Sequence, residues 1–166
     1  MAVPDDVLVS ELMMSEVETV SPDTTIAEFC RLSAVGGFTG APVVDETGKL
    51  VGIVSRTDVV RAMVLSGTDE SSPDYDDIVD LLSSRFIDLD EPRRPGGLTY
   101  VEEIMVRDVV STTPDATVAE AARLMCENRV HRLPVLSEGR LVGILSSLDL
   151  MSHLAGEGPA RERKDK

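Results

Sequence analysis

Tryptophan is absent from this chain of 166 residues, and its aromatics amount to three phenylalanines and two tyrosines. The interior must therefore be built from Val, Leu, Ile, Ala and Met. Basic residues are also scarce: 16 Lys and Arg stand against 30 Asp and Glu, for a net charge of −14. That balance excludes broad DNA or RNA binding, which draws its affinity from basic side chains neutralising phosphates. It does not exclude a small anion, since a few arginines in a cleft hold one phosphate whatever the global charge. No apolar run approaches the roughly 18–20 residues that span a bilayer. The start, Met1-Ala2-Val3-Pro4-Asp5-Asp6, has neither the positive charge nor the apolar block of a secretory signal. Two cysteines, Cys30 and Cys126, fall inside apolar helical patterns. They read as small buried thiols in a reducing cytoplasm rather than a disulfide. Phosphate-cradling Gly-x-x-x-x-Gly-Lys loops, nucleophile elbows and metal-spaced His/Cys clusters are all missing, which argues against an enzyme. His131 has no companion ligands for a metal, and His153 has no acid–base partner near it in sequence.

What the chain does have is a repeat. Shifted by 92 positions, Leu12-Met13 falls on Ile104-Met105, and Pro22-Asp23-Thr24-Thr25-Ile26-Ala27-Glu28 falls on Pro114-Asp115-Ala116-Thr117-Val118-Ala119-Glu120. Arg31-Leu32 meets Arg123-Leu124, and Pro42-Val43 meets Pro134-Val135. After a one-residue deletion, Gly48-Lys49-Leu50-Val51-Gly52-Ile53-Val54-Ser55 lies on Gly139-Arg140-Leu141-Val142-Gly143-Ile144-Leu145-Ser146, and Asp58 lies on Asp149. Matches in one order with one small gap mark an internal duplication.

Each copy reads locally in the same way. Thr25-x-x-Glu28 and Thr117-x-x-Glu120 are capping boxes that open a helix. Ile26, Phe29, Cys30 and Leu32, or Val118, Ala121, Ala122 and Met125, recur at helical spacing. The short apolar runs 41–44 and 50–54, matched by 133–136 and 141–145, fit buried strands joined as hairpins across Asp45-Glu46-Thr47-Gly48 and Ser137-Glu138-Gly139. A second helix follows near 57–65 and 148–154, and a short helix precedes each copy at 7–14 and 100–105. The predicted unit is β-α-β-β-α, an α/β chain of the α+β type. One unit is too small to bury its own sheet, so the two should pack together through their sheets.

The predicted organisation is a first repeat over 7–65, an insertion over 66–99, a second repeat over 100–154 and a tail over 155–166. The insertion has loop-forming ends, with Ile78, Val79, Leu81, Leu82 and Phe86 spaced as an amphipathic helix between them. That helix reads either as a connector docked on the core or as a partner or dimer contact. The tail is polar and reads as mobile.

The segments Gly52-Ile53-Val54-Ser55-Arg56-Thr57-Asp58 and Gly143-Ile144-Leu145-Ser146-Ser147-Leu148-Asp149 have the form Gly-apolar-apolar-Ser-x-x-Asp. This resembles the closing signature of a cystathionine β-synthase (CBS) domain, as do the Pro-Asp-x-Thr helix starts and Val130-His131-Arg132-Leu133-Pro134-Val135. The resemblance spans about residues 7–154 apart from the insertion. It implies a pseudo-twofold pair, a Bateman module, that commonly forms a disc-like dimer. It further implies an adenosine-containing ligand (AMP, ADP, ATP or S-adenosylmethionine) in clefts between the repeats, and a regulated protein partner. By the same resemblance, Asp58 and Asp149 would accept the ribose hydroxyls, while Ser55 and Ser146 with the helix amides would favour a phosphate. His131 and Arg132 match positions that reach phosphates. Thr19, Val20, Ser111 and Thr112 would flank the adenine, with the backbone at Gly40, Ala41, Leu133 and Pro134. Arg56 reads equally as a phosphate ligand or as a solvated surface arginine. Ser-x-x-Asp at a helix start is also an ordinary N-cap. The alternative to a sensor is a ligand-free scaffold that oligomerises or docks a partner. The copies differ: only the second has His-Arg, only the first has Arg56, and the first has Gly36-Gly37-Phe38-Thr39-Gly40 before its strand. The two sites should therefore be unequal.

Overall fold

The computed structural model describes residues 7–66 and 100–156. The predicted insertion helix and residues 157–166 of the tail lie outside them. The elements in chain order are α1 (Val9–Leu12), α2 (Ile26–Gly36), β1 (Gly40–Val44), β2 (Leu50–Ser55), α3 (Arg56–Ser66), a 3₁₀ turn (Val101–Glu103), α4 (Val118–Asn128), β3 (Arg132–Ser137), β4 (Arg140–Ser146) and α5 (Ser147–Leu154).

The chain divides into two compact units. The first unit holds residues 18–66 and 100–109, and the second holds 7–17 and 110–156. Each unit thus takes the segment that leads, in sequence, into the other repeat. In the first unit β1 and β2 form an antiparallel hairpin with Gly40 opposite Ser55 and Pro42 opposite Ile53. Val20 lies parallel to Val43 on the outer side of β1, and Val106 lies antiparallel to Ile53 on the outer side of β2. The second unit repeats this plan: β3 and β4 pair with Arg132 opposite Ser146, Thr112 lies parallel to Val135, and Met14 lies antiparallel to Ile144. Both hairpins shift register at the same place, between Val43 and Val44 and between Val135 and Leu136.

The predicted first strand of each repeat is reduced to these single parallel bridges. The predicted helices at 7–14 and 100–105 shrink to four residues and one 3₁₀ turn. Their flanking residues are spent on sheet pairing: Met14 and Ile144 exchange both backbone bonds at 2.9 Å, and Val106 and Ile53 do so at 2.8 and 2.9 Å. Glycine makes that close approach possible. A Cβ at Gly52 would lie 2.6 Å from Met105 Sδ and 3.1 Å from the Val106 carbonyl. At Gly143 it would lie 2.6 Å from Met13 Sδ and 3.0 Å from the Met14 carbonyl.

The hairpin turns explain the one-residue deletion. In the first, Asp45 accepts from the Thr47 and Lys49 amides and the Thr47 hydroxyl, closing a longer loop. In the second, Glu138 and Gly139 both have positive φ, the conformation of a two-residue primed turn.

The Thr117 box forms in full: its hydroxyl accepts from the Glu120 amide, and Glu120 accepts from the Thr117 amide. The Thr25 box forms only by half, its hydroxyl accepting from the Glu28 amide while Glu28 lies 4.0 Å from Arg31. One prediction about the cysteines needs correction. Cys30 is buried, whereas Cys126 is exposed. The buried face of α4 runs through Val118, Ala121 and Met125, and Cys126 falls just past it.

Candidate functional site

Both hairpins end in the same corner. The strand closes on a serine, the next residue starts a helix, and an aspartate sits in that helix's first turn. In the second unit the Asp149 carboxylate accepts from the Ser146 amide at 2.8 Å and its hydroxyl at 2.6 Å, while the Ser146 hydroxyl accepts from the Asp149 amide at 3.2 Å. In the first unit the same three bonds join Ser55 and Asp58 at 2.9, 2.5 and 3.3 Å. In both cases one oxygen, Oδ2, receives the whole loop. Oδ1 takes no part in it. Asp149 is only 4% exposed, so its carboxylate is held both by burial and by its own backbone loop, with its geometry fixed in advance.

The surroundings differ. Beside Asp58, Arg61 lies 3.6 Å from Oδ1 on the exposed side of α3. Arg56 is neither free nor simply solvated: its Nε donates to Ser33 Oγ at 2.6 Å and its guanidinium to the Ser33 carbonyl at 2.9 Å. The Arg56 amide donates to the Thr39 carbonyl. In the second unit the Ser147 amide donates to the His131 carbonyl, so His131 occupies the place of Thr39. The His131 and Arg132 side chains are exposed at the start of β3, with Arg132 directly opposite Ser146.

The structure therefore brings Gly40, Ser55, Arg56 and Asp58 together, and likewise His131, Arg132, Ser146 and Asp149. Other predicted residues stand elsewhere. Val20, Ala41 and Leu133 are core side chains, Pro134 is fully buried too, and both backbone groups of Val20 are spent on pairing with β1. Thr19–Val20 and Ser111–Thr112 lie along β1 and β3 at Val43 and Val135, about 10 Å from Gly40 and Arg132 at strand spacing. Thr19 is exposed and Thr112 buried.

Three residues that shape the corner escaped sequence reasoning: Ser33, Thr39 and Arg61. Ser33 carried a signal, because a polar residue on the periodic apolar face of α2 needs a partner. It is fully buried and also donates to the Phe38 carbonyl at 2.7 Å. Burial raises the neighbouring Cys30 thiol to about 11, with the Arg56 charge pulling the other way, so this thiol stays protonated and inert. Among the described residues no group of His, Cys, Asp and Glu could hold a metal ion, and no helix is long and apolar enough to cross a membrane.

Comparison with known proteins fits this duplicated corner. The CBS domain family profile matches residues 9–65 and 101–156. The chain belongs to the CBS domain family. Among relatives of this CBS chain, protein MJ1426 of Methanocaldococcus jannaschii is 33% identical over 153 residues, covering 89% of this chain and 90% of that protein. The CBS domain-containing protein YhcV of Bacillus subtilis is 28% identical, over 86% of this chain and 81% of its own length. The inosine-5'-monophosphate dehydrogenase of M. jannaschii is 31% identical, but the chain spans only 25% of that enzyme. In structure, the CBS domain pair of MJ0100, solved with 5'-methylthioadenosine and S-adenosyl-L-methionine, is similar with TM-score 0.66 at 24% identity, covering 90% of this chain and 97% of that one. CBSX2, solved with AMP, gives TM-score 0.67 at 24% identity with the same coverage. MJ1225 of M. jannaschii gives 0.70 at 24% identity, over 92% of this chain and 49% of that protein.

Proposed function

We propose that this CBS pair is a regulatory module, not an enzyme, that binds an adenosine-containing ligand at its Ser-x-x-Asp corners. The observation that carries this reading is the duplicated carboxylate. Each loop commits one oxygen of Asp58 or Asp149 to its own backbone and keeps the other out of the loop. A carboxylate held this way suits the paired donors of a ribose, and the adjoining helix amides suit a phosphate. The adenosyl ligands in the structures of MJ0100 and CBSX2 support the choice of ligand class. In this reading Asp58 and Asp149 take the ribose, Ser55 and Ser146 orient them, and His131 and Arg132 reach a phosphate. Ligand binding alters the contacts of a homodimer or of a regulated partner in the cytoplasm.

The direct test is a thermal-shift panel with AMP, ADP, ATP and S-adenosylmethionine. A ligand at 100 times its Kd stabilises the fold by about 2.7 kcal/mol, a readable change in melting temperature. A panel without any shift at millimolar ligand contradicts the reading. It would favour a second one, a ligand-free docking or dimerisation scaffold, to which α5 lends support. That helix leaves Leu148, Met151 and Leu154 about half exposed at spacings of three.

A further inference from the structure

We infer that Arg56 is a positioning residue that acts through Ser33, and not a ligand-contacting one. The inference refines the roles within the proposed nucleotide corner and rests on that reading only for its ligand arm. Arg56 stands at the first position of α3, between the two members of the Ser55–Asp58 loop. From there its side chain runs inward, not outward. Nε and one terminal nitrogen both bind Ser33, near the end of α2, and the Ser33 hydroxyl passes the link on to the Phe38 carbonyl. The Arg56 amide, through Thr39, ties the same corner to the residue before β1. Two connected paths thus join α2 to the start of α3, and the loop holding Asp58 lies at their junction. The planar guanidinium makes two directed bonds at once, a geometry that fixes orientation as well as distance.

The second repeat shows that the link is one solution to a structural problem. At the places of Ser33 and Arg56 it has Met125 and Ser147, an apolar side chain and a short one. Met125 is buried in the core of its unit, so at that helix position an apolar side chain stands where the first unit has the buried hydroxyl of Ser33. Where the bridge is absent, the exposed His131 and Arg132 stand instead at the start of the strand. In the first repeat Thr39 and Gly40 hold those places. Arg56 is therefore not the missing counterpart of His131 or Arg132. Its charge is used inside the unit, and the first corner offers a ribose acceptor without their phosphate contact.

The test is a double-mutant cycle of Ser33→Ala and Arg56→Met, which keeps the aliphatic stem while removing the polar ends. Amide hydrogen exchange in ligand-free protein reads the loop itself. Each single variant is expected to speed exchange at Ser55, Arg56 and Asp58 by roughly three- to tenfold, with the amides of β1 and of β2 before Ser55 unmoved. The double variant should match the larger single effect and not the product of the two. Exchange at these amides unchanged in Ser33→Ala, or multiplied in the double variant, overturns the inference. Should either single variant fold poorly, the pair Ser33→Met with Arg56→Ser, copied from the second repeat, is read for the same non-additivity. AMP supplies the ligand arm: its Kd should move in step in the two single variants. A loss above tenfold in Arg56→Met with Ser33→Ala unchanged would make Arg56 a direct contact and overturn the assignment. Failure of wild-type protein to bind AMP would instead count against the nucleotide reading, with the exchange cycle still deciding the role of Arg56.

Discussion

The two units reach one fold with their bulk distributed in opposite ways. In the first, Phe29 on α2 and Phe38 after it fill the core above a small residue on the strand, Ala41. At the matching positions the second has Ala121 and Val130 on the helix side and Leu133 on the strand, with Leu145 where the first has Val54. Ser33–Arg56 against Met125–Ser147 is a further exchange of this kind, a polar bridge traded for apolar packing. The Ser-x-x-Asp loop passes through all these trades with the same three hydrogen bonds. The difference teaches that the hydrophobic pattern and total volume specify the unit, since cores accept redistribution when both are kept. The loop is constrained by something other than packing.

The sharpest way to break this comparison is to remove the bulk from one side. Phe29→Ala should cost about 3–5 kcal/mol in urea unfolding, because the ring is wholly buried. Adding Ala41→Leu, which copies the second unit's arrangement, should restore at least about 1 kcal/mol through coupling between the two sites. A double variant no better than Phe29→Ala would show that the two packings are not interchangeable. Next in size, Gly52→Ala and Gly143→Ala should each destabilise by about 1–3 kcal/mol, since the new methyl meets a Met sulfur and a backbone carbonyl. Equal losses in the two would show that both units depend alike on the leading segment they take up.

The smallest effects lie at the helix caps. Thr117→Ala should cost about 1 kcal/mol and Thr25→Ala less, because only Thr117 belongs to a closed box. The bond from the Thr117 amide, followed by that from its hydroxyl, holds the Glu120 carboxyl below its usual range. Stabilisation from this lowered group is present above its ordinary value near 4.5 and is lost as pH falls through its lower value in the fold. Glu120→Gln should therefore flatten the acid limb of a stability profile, and an unchanged limb would show that the cap does not titrate with folding.

Much of this was legible in the sequence, and the reasons are local. A hairpin is written in a short apolar run, a turn and a second run, and a helix start in Thr-x-x-Glu. The Ser-x-x-Asp corner closes over three residues, so its capping bonds could be read from spacing, while a ligand role came only from the family resemblance. What could not be read depends on pairing between distant residues. Nothing in Met13-Met14 indicates that this segment lies on β4, 130 positions later (Met14 to Ile144), and not on the hairpin of its own repeat. Arg56 finds Ser33 across 23 positions. Its inward course followed from a polar residue on the buried face of α2, a signal that becomes specific only once α2 and α3 are seen side by side. Cys126 was misplaced for a related reason: periodicity locates a face to within a residue, and the neighbouring strand decides where that face ends.

The nucleotide assignment rests on the two carboxylates, and calorimetric titration of AMP into wild type, Asp58→Asn, Asp149→Asn and the double variant tests it most directly. The amide keeps an acceptor for the serine backbone, so the loop can persist while the charge offered to a ribose is lost. The assignment predicts measurable binding by wild type, a loss of tenfold or more in at least one single variant, and no binding in the double variant. Of the two, the Asp149 variant should lose more, because Arg61 stands beside Asp58 whereas His131 and Arg132 stand at the corner of Asp149. Wild-type affinity retained in the double variant would contradict the assignment.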